Sequence, residues 1–156
     1  MTKEAFAQRI VAMQSRMYRI ARGHLRGEHD CLDAVSEAVV KAWQKRDTLR
    51  EEALFETWVI RILIRECANI QRHQRRMLPA ETIPEEAAEA PSQNEALRDA
   101  LDSLPQPQRT VVVLHYMEGY SVQECAEILH TFKGTVVSRL HYARLRLREL
   151  LKEDFE

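Results

Sequence analysis

Three observations predict an all-α fold made of two small helical domains. Only four glycines occur in 156 residues, so the chain carries few turn and breaker signals. Long stretches are built from Ala, Leu, Glu, Arg and Gln, and their apolar residues recur at three- and four-residue steps instead of alternating. The β-branched run Thr110-Val111-Val112-Val113 is the one patch with strand character.

The first helix is expected over residues 3–23, where Phe6, Ile10, Met13, Met17 and Ile20 line one face. Gly23 and Gly27 punctuate its end, and Asp30 is the expected N-cap of a second helix. Leu32, Val35, Val39, Ala42 and Trp43 form the apolar stripe of that helix, with Asp33, Glu37, Val40 and Lys41 on its other side. A polar loop over residues 46–51 leads to a third helix holding Phe55, Trp58, Val59, Ile62, Leu63 and Ile70. From 78 to 94 periodicity is lost, and Pro79, Pro84 and Pro91 interrupt a Glu- and Ala-rich stretch. The chain therefore divides into residues 1–77, an acidic linker 78–94, and residues 95–156. The second part opens with Leu97, Leu101 and Leu104 in register, followed by a short helix over 108–117 and a turn at Gly119.

Net charge is −1, but it is segregated along the chain. Residues 1–79 carry 15 Lys and Arg against 10 Asp and Glu, residues 80–104 carry 1 against 7, and residues 105–156 carry 7 of each. Within the last part, Lys133 to Arg148 holds five basic residues and no acidic one. Local charge is what meets phosphates, so two cationic surfaces are expected despite the overall balance. Cys31, Cys67 and Cys125 match no metal or redox spacing, and His29, Cys31 and Asp33 fit polar loop and cap positions better than a ligand set. No metal and no cofactor is expected. No nucleophile motif, phosphate loop or paired carboxylates appear, which argues against an enzyme. No signal peptide is expected at the first residues and no apolar run is long enough to span a bilayer, so a reduced cytoplasm is the expected compartment.

On the third helix Arg61, Arg65, Arg72 and Arg76 follow at four-, seven- and four-residue steps, a basic ridge suited to a phosphate backbone. Ser121 and Glu124 form a capping box that opens a short helix with Ala126, Ile128 and Leu129 as packing residues. After a turn at 130–133, a longer helix buries Val136, Leu140, Ala143, Leu147 and Leu150. This pair reads as a helix-turn-helix whose second helix lies against DNA. Its outward residues are Thr135, Ser138, Arg139, Tyr142 and Arg146, with Arg144 and Arg148 placed for backbone contacts.

With these motifs placed, a specific resemblance emerges. Leu104 to Arg109, Val111 to Ser121, Glu124 to Leu129, Gly134 to Leu140 and Ala143-Arg144 resemble region four of bacterial sigma factors. Asp30 to Trp43, Phe55 to Ile62, Glu66 to Asn69 and Arg72 to Arg76 resemble region two. Order and linker resemble the extracytoplasmic-function type. The resemblance implies a DNA-binding subunit that directs RNA polymerase core enzyme to promoters. Asp33, Glu37, Val40 and Lys41 are then implied in core polymerase binding. Thr48, Trp58, Arg61, Arg65, Asn69, Arg72 and Arg76 are implied at the minus-ten element, taken as single strand. Trp58 stays open between a stacking wedge and a core position. Lys133, Thr135, Ser138, Arg139, Tyr142, Arg144 and Arg146 are implied at the minus-thirty-five duplex. An anti-sigma factor wedged between the two domains is a further implied partner. Arg65, His130, Val137 and Tyr142 depart from residues frequent in relatives, and a left-handed His130 costs roughly 1–2 kcal/mol. The rival reading from the residues alone is a helix-turn-helix regulator with an N-terminal sensing or dimerisation domain.

Overall fold

The computed structural model describes residues 1–77 and 93–155, and the described residues contain helices and no strand. The order is α1 (Lys3–His24), α2 (Glu28–Gln44), α3 (Phe55–Arg76), α4 (Gln93–Ser103), α5 (Gln106–Val112), α6 (Val122–Leu129) and α7 (Lys133–Phe155). Linker residues 78–92 lie outside the described residues. The β-branched run is helical: Thr110 to Val112 end α5, and Val113–Met117 continue it as a π-helical turn. Burial explains this, because all four β-branched side chains are buried and the tertiary environment overrides a weak strand preference.

α1, α2 and α3 form a three-helix bundle. The Thr2 hydroxyl caps α1 by accepting from the Ala5 N–H at 3.1 Å, and the whole expected stripe from Phe6 to Ile20 is buried. Phe6 meets Trp43 and Phe55 edge to face at 5.1 and 5.7 Å, and Trp58 leans on Phe55 at 6.1 Å. That places Trp58 half-buried against the core. The start of α2 differs from expectation. Gly27 is its N-cap, and the Asp30 carboxylate instead accepts from Gln74 of α3 at 2.5 Å. Leu32 is exposed, because the face used by α2 runs through Cys31, Ala34, Val35, Ala38 and Ala42.

α4 to α7 form the second unit. Leu97 is exposed, while Ala96, Ala100, Leu101 and Leu104 are buried. The capping box is made as expected: Ser121 Oγ accepts from the Glu124 N–H at 3.0 Å, and Glu124 Oε1 accepts from the Ser121 N–H at 3.0 Å. α6 ends at His130, which is left-handed with φ 51° and ψ 50°. The Thr131 N–H donates to the Ala126 carbonyl at 3.0 Å, so a histidine occupies the position that glycine favours in this helix stop. Small Ala126 and Ala143 are buried where α6 and α7 meet.

The two units share one apolar core. Gly23 of α1 is required there, since a Cβ on it would stand 2.6 Å from a Val113 methyl. Beside that contact His24 is fully buried. Its Nδ1–H donates to the Ile20 carbonyl at 2.9 Å, which leaves Nε2 to accept from the Thr110 hydroxyl at 2.9 Å. Arg109, also buried, donates to the His24 carbonyl at 3.0 Å. Burial, with Arg109 and Arg98 nearby, lowers the His24 pKa to about 4.

A depressed pKa means that the fold prefers neutral His24, while the unfolded chain takes up the proton near pH 6.5. The His24 contribution is complete above that pH and is lost as pH falls towards 4, by about 3 kcal/mol in all. Urea midpoints of the wild type should drop across this window, with a flatter profile for His24→Asn. Parallel profiles for the two proteins would contradict the assignment.

Candidate nucleic-acid interface

The α3 ridge is partly as expected. Arg65, Asn69, Arg72 and Arg76 are exposed, and an Arg72 N–H donates to the Asn69 side-chain oxygen. Between α2 and α3 lies a groove of about 270 Å³ lined by Lys41, Lys45, Ile62, Arg65, Glu66, Ala68, Asn69 and Arg72. Four cations and one acid line it, and the acid is already paired. Lys45 was not legible as a member, because it follows the last helical residue of α2 and only the α2–α3 crossing brings it to Arg65 and Arg72. Thr48 is exposed at the end of a single 3-10 turn (Arg46–Thr48), its hydroxyl donating to the Lys45 carbonyl at 2.7 Å.

Arg61 is elsewhere. Its Nε donates to the Ile128 carbonyl at 2.8 Å and its Nη2 to the Glu127 carbonyl at 2.9 Å. These carbonyls end α6, where helix geometry leaves acceptors unpaired and the dipole favours a cation. Burial and neighbouring Arg65 lower the Arg61 pKa from its ordinary value. Arg61 is thus separated from the exposed ridge that its spacing placed it in.

On α2, Asp33, Glu37 and Val40 are exposed, as the pattern requires. Lys41 is only half-exposed, and its ammonium pairs with buried Glu66 of α3, which raises the lysine pKa. Lys41 therefore neutralises an internal carboxylate, a pairing set by a residue 25 positions away.

α7 presents Lys133, Ser138, Tyr142, Arg144 and Arg146 to solvent. Thr135 and Arg139 are half-buried, because they flank the buried stripe instead of sitting opposite it. The Arg144 guanidinium donates to the Tyr116 hydroxyl at 2.7 Å, which fixes it beside the turn after α5. Phe132, just before α7, is 84% exposed, and exposed Val137 lies on the same helix. The sequence pattern singled out neither as a contact. Arg139 lines a cleft of about 230 Å³ together with Arg61, Ile64, Arg65, Gln106, Pro107, Thr110 and Leu129. Three arginines from the two units thus converge on one cleft, and its lining holds no acidic residue. Burial, then Arg61 and Arg65, lower the His130 pKa from its ordinary value.

Among the described residues no cluster of His, Cys, Asp and Glu has the makings of a metal site, and no helix is long and apolar enough to cross a membrane. Cys31, Cys67 and Cys125 are buried free thiols, and burial pushes Cys67 up to about 12.

Residues 10–77 match the family model described as Sigma-70 region 2, and residues 94–147 match Sigma-70, region 4. RNA polymerase sigma factor SigV of Bacillus subtilis is 31% identical, over 98% of this chain and 95% of that protein. ECF RNA polymerase sigma factor SigM of Mycobacterium tuberculosis is 34% identical, over 94% of this chain and 77% of its own length. Among solved structures, the sigma factor RpoE in complex with the anti-sigma factor NepR from Bartonella quintana has a TM-score of 0.75 at 27% identity, covering 96% of this chain and 98% of that one. CnrH in complex with the cytosolic domain of CnrY has a TM-score of 0.77 at 25% identity, covering 98% and 91%.

The Lys41–Glu66 pair yields a direct test of which role Lys41 has. Lys41→Met should destabilise the fold by about 2 kcal/mol, because it strands a buried carboxylate. Adding Glu66→Met should restore most of that loss. Denaturant midpoints of the two variants decide it, and a Lys41→Met protein as stable as wild type would contradict the structural role.

Proposed function

The chain belongs to the sigma-70 family as an RNA polymerase sigma factor of the extracytoplasmic-function type, and on that premise we propose how its residues divide the work. Residues 1–77 are the unit that binds core polymerase and the minus-ten element, residues 78–94 the linker, and residues 95–156 the unit that binds the minus-thirty-five element. The exposed face of α2, with Asp33, Glu37 and Val40, docks on core polymerase. Lys41 supports that face from beneath through Glu66.

The groove between α2 and α3 takes the displaced minus-ten strand. Arg65, Arg72 and Arg76 meet its phosphates, Asn69 and Thr48 offer hydrogen bonds to bases or sugar, and Lys45 joins them from the end of α2. Trp58 serves this surface from the core, by fixing the packing of α3. α7 enters the major groove with its N-terminal half. Arg139 reads a guanine edge, Ser138, Thr135 and Tyr142 contribute hydrogen bonds, and Lys133, Arg144 and Arg146 neutralise phosphates. The observation that carries this reading is that cations gather on a groove of the first unit and on the outward face of α7 in the second, in a chain of net charge −1. Specificity factors of this kind perform no covalent chemistry themselves, so the chain acts as a non-enzymatic subunit in the cytoplasm, where polymerase works. Like the sigma factors that resemble it in structure, it is a candidate for an anti-sigma partner.

In vitro transcription tests the reading: purified chain and bacterial core polymerase act on a pool of promoter fragments, and the transcripts are sequenced. Initiation should depend on the chain and occur at fragments sharing two spaced motifs. No transcripts, with palindromic duplex binding by the chain alone, would instead make it a conventional helix-turn-helix regulator. Arg139→Ala should lose about 1–3 kcal/mol of discrimination at one minus-thirty-five position. Arg72→Ala should weaken single-strand binding across all sequences and reduce its salt slope by about 0.7. Unchanged sequence preference in the first, or an unchanged slope in the second, would move those residues off the interface.

A further inference from the structure

We propose that the start of α7 reads thymine by its 5-methyl group, through Val137 and Phe132. Part of the minus-thirty-five element is then chosen by apolar contact instead of by hydrogen bonds. The inference rests on the assignment of α7 to that duplex and names what this part of the helix recognises.

α7 packs Val136, Leu140, Ala143 and Leu147 against its own unit. The face opposite that stripe, at three- and four-residue steps, is Gly134, Val137, Ser138, His141 and Tyr142, and all five are exposed. No arginine or lysine stands among them. At about 100° per residue the cations fall on the two borders of the face, Lys133 and Arg144 on one and Arg139 and Arg146 on the other. Cations on both borders suit the phosphates that line the two walls of a groove, and the middle of the face then meets base edges.

A single exposed apolar side chain is ordinary on a protein surface. The start of α7 departs from the ordinary at three positions close together. Phe132 is 84% exposed, the most exposed large apolar residue among those described, and Val137 is 51% exposed. The Phe132 carbonyl accepts from the Thr135 and Val136 N–H groups at 3.0 and 3.2 Å. Phe132 is therefore the N-cap of α7, a place that favours Ser, Thr, Asp or Asn. Gly134 has open space where a Cβ would stand, so nothing in the fold calls for a glycine there, and glycine weakens a helix. Each departure forgoes some stability, and each leaves apolar surface or clear backbone facing outward, where a partner can approach closely.

The chemistry of the major groove selects the partner. Thymine offers its 5-methyl group there, the one apolar group on a base edge, whereas cytosine offers an amine, guanine two acceptors, and adenine an amine and an acceptor. Val137 and the Phe132 ring can neither donate nor accept a strong hydrogen bond. Set over a polar edge, they would take a hydrogen-bonding group out of water with nothing in its place. Set over the thymine methyl, they bury apolar surface on both partners. The same two side chains therefore attract thymine and disfavour the other bases at the same position.

The experiment uses the full chain with core polymerase, on a promoter recovered from the transcription pool. Each thymine of the minus-thirty-five element, on either strand, is replaced in turn by deoxyuridine, which pairs as thymine does and lacks only the methyl. Initiation at limiting polymerase should fall about threefold to tenfold at one or two positions. Val137→Ala should erase the penalty at one of them and Phe132→Ala at another, with helix content unchanged because both side chains are exposed. Equal initiation from thymine and deoxyuridine templates at every position would overturn the proposal and leave the promoter assignment standing. A recovered element without thymine on either strand would do the same. A penalty that persists in both variants would remove Val137 and Phe132 from the contact. No initiation by the wild type from any template would instead sink the promoter assignment, and the methyl contact with it.

Discussion

The close approach of Gly23 to Val113 is the contact on which the rest of the arrangement depends. Once α1 and the turn after α5 touch at that distance, a single apolar core runs through both units. The polar groups beside the seam must then find partners across it. His24 takes Thr110, Arg109 takes the His24 carbonyl, Glu118 takes Arg19, and Tyr120 takes Glu56. Each pairing offsets a desolvation that the apolar contact imposed. An interface of this type ties the two units together more firmly than the thin, polar contacts common between domains.

Electrostatics works against that cohesion. The cations proposed to hold nucleic acid are gathered on α3 and α7, and the packing of the two units brings Arg61, Arg65 and Arg139 into one cleft. Arg61 is accommodated because the end of α6 presents the Glu127 and Ile128 carbonyls to it, at a helix stop that His130 makes in a left-handed conformation. The departure from glycine at position 130 thus sits in the element that receives Arg61.

Local periodicity made much of this fold legible. The α1 stripe, the α7 stripe through Val136, Leu140 and Ala143, and the Ser121–Glu124 box depend on residues within a turn or two of each other, and all are found as expected. Residues whose partners are distant in sequence were not legible. Asp30 looks like a helix cap until Gln74 claims it, and Lys41 looks like a surface cation until Glu66 does. Arg61 has the spacing of a ridge residue and the environment of an interdomain contact. Glu118 and Tyr120 read only as the flanks of a turn, because nothing local announces that Arg19 and Glu56 lie opposite. The basic surfaces were visible as charge segregation, but which of their arginines stay free was fixed by how the two units meet.

The central claim is that one chain holds two promoter-reading surfaces, one on each helical unit, which engage two elements held apart along the promoter. Energy transfer between a dye on the exposed face of α2 and one on α6 measures that separation, first in the free chain and then in its complex with core polymerase and promoter DNA. The account predicts a short distance in the free chain and a gain of several tens of ångströms in the promoter complex, as two elements roughly 25 base pairs apart, about 85 Å of duplex at ~3.4 Å per pair, require. A short distance retained in a complex that initiates transcription would contradict it.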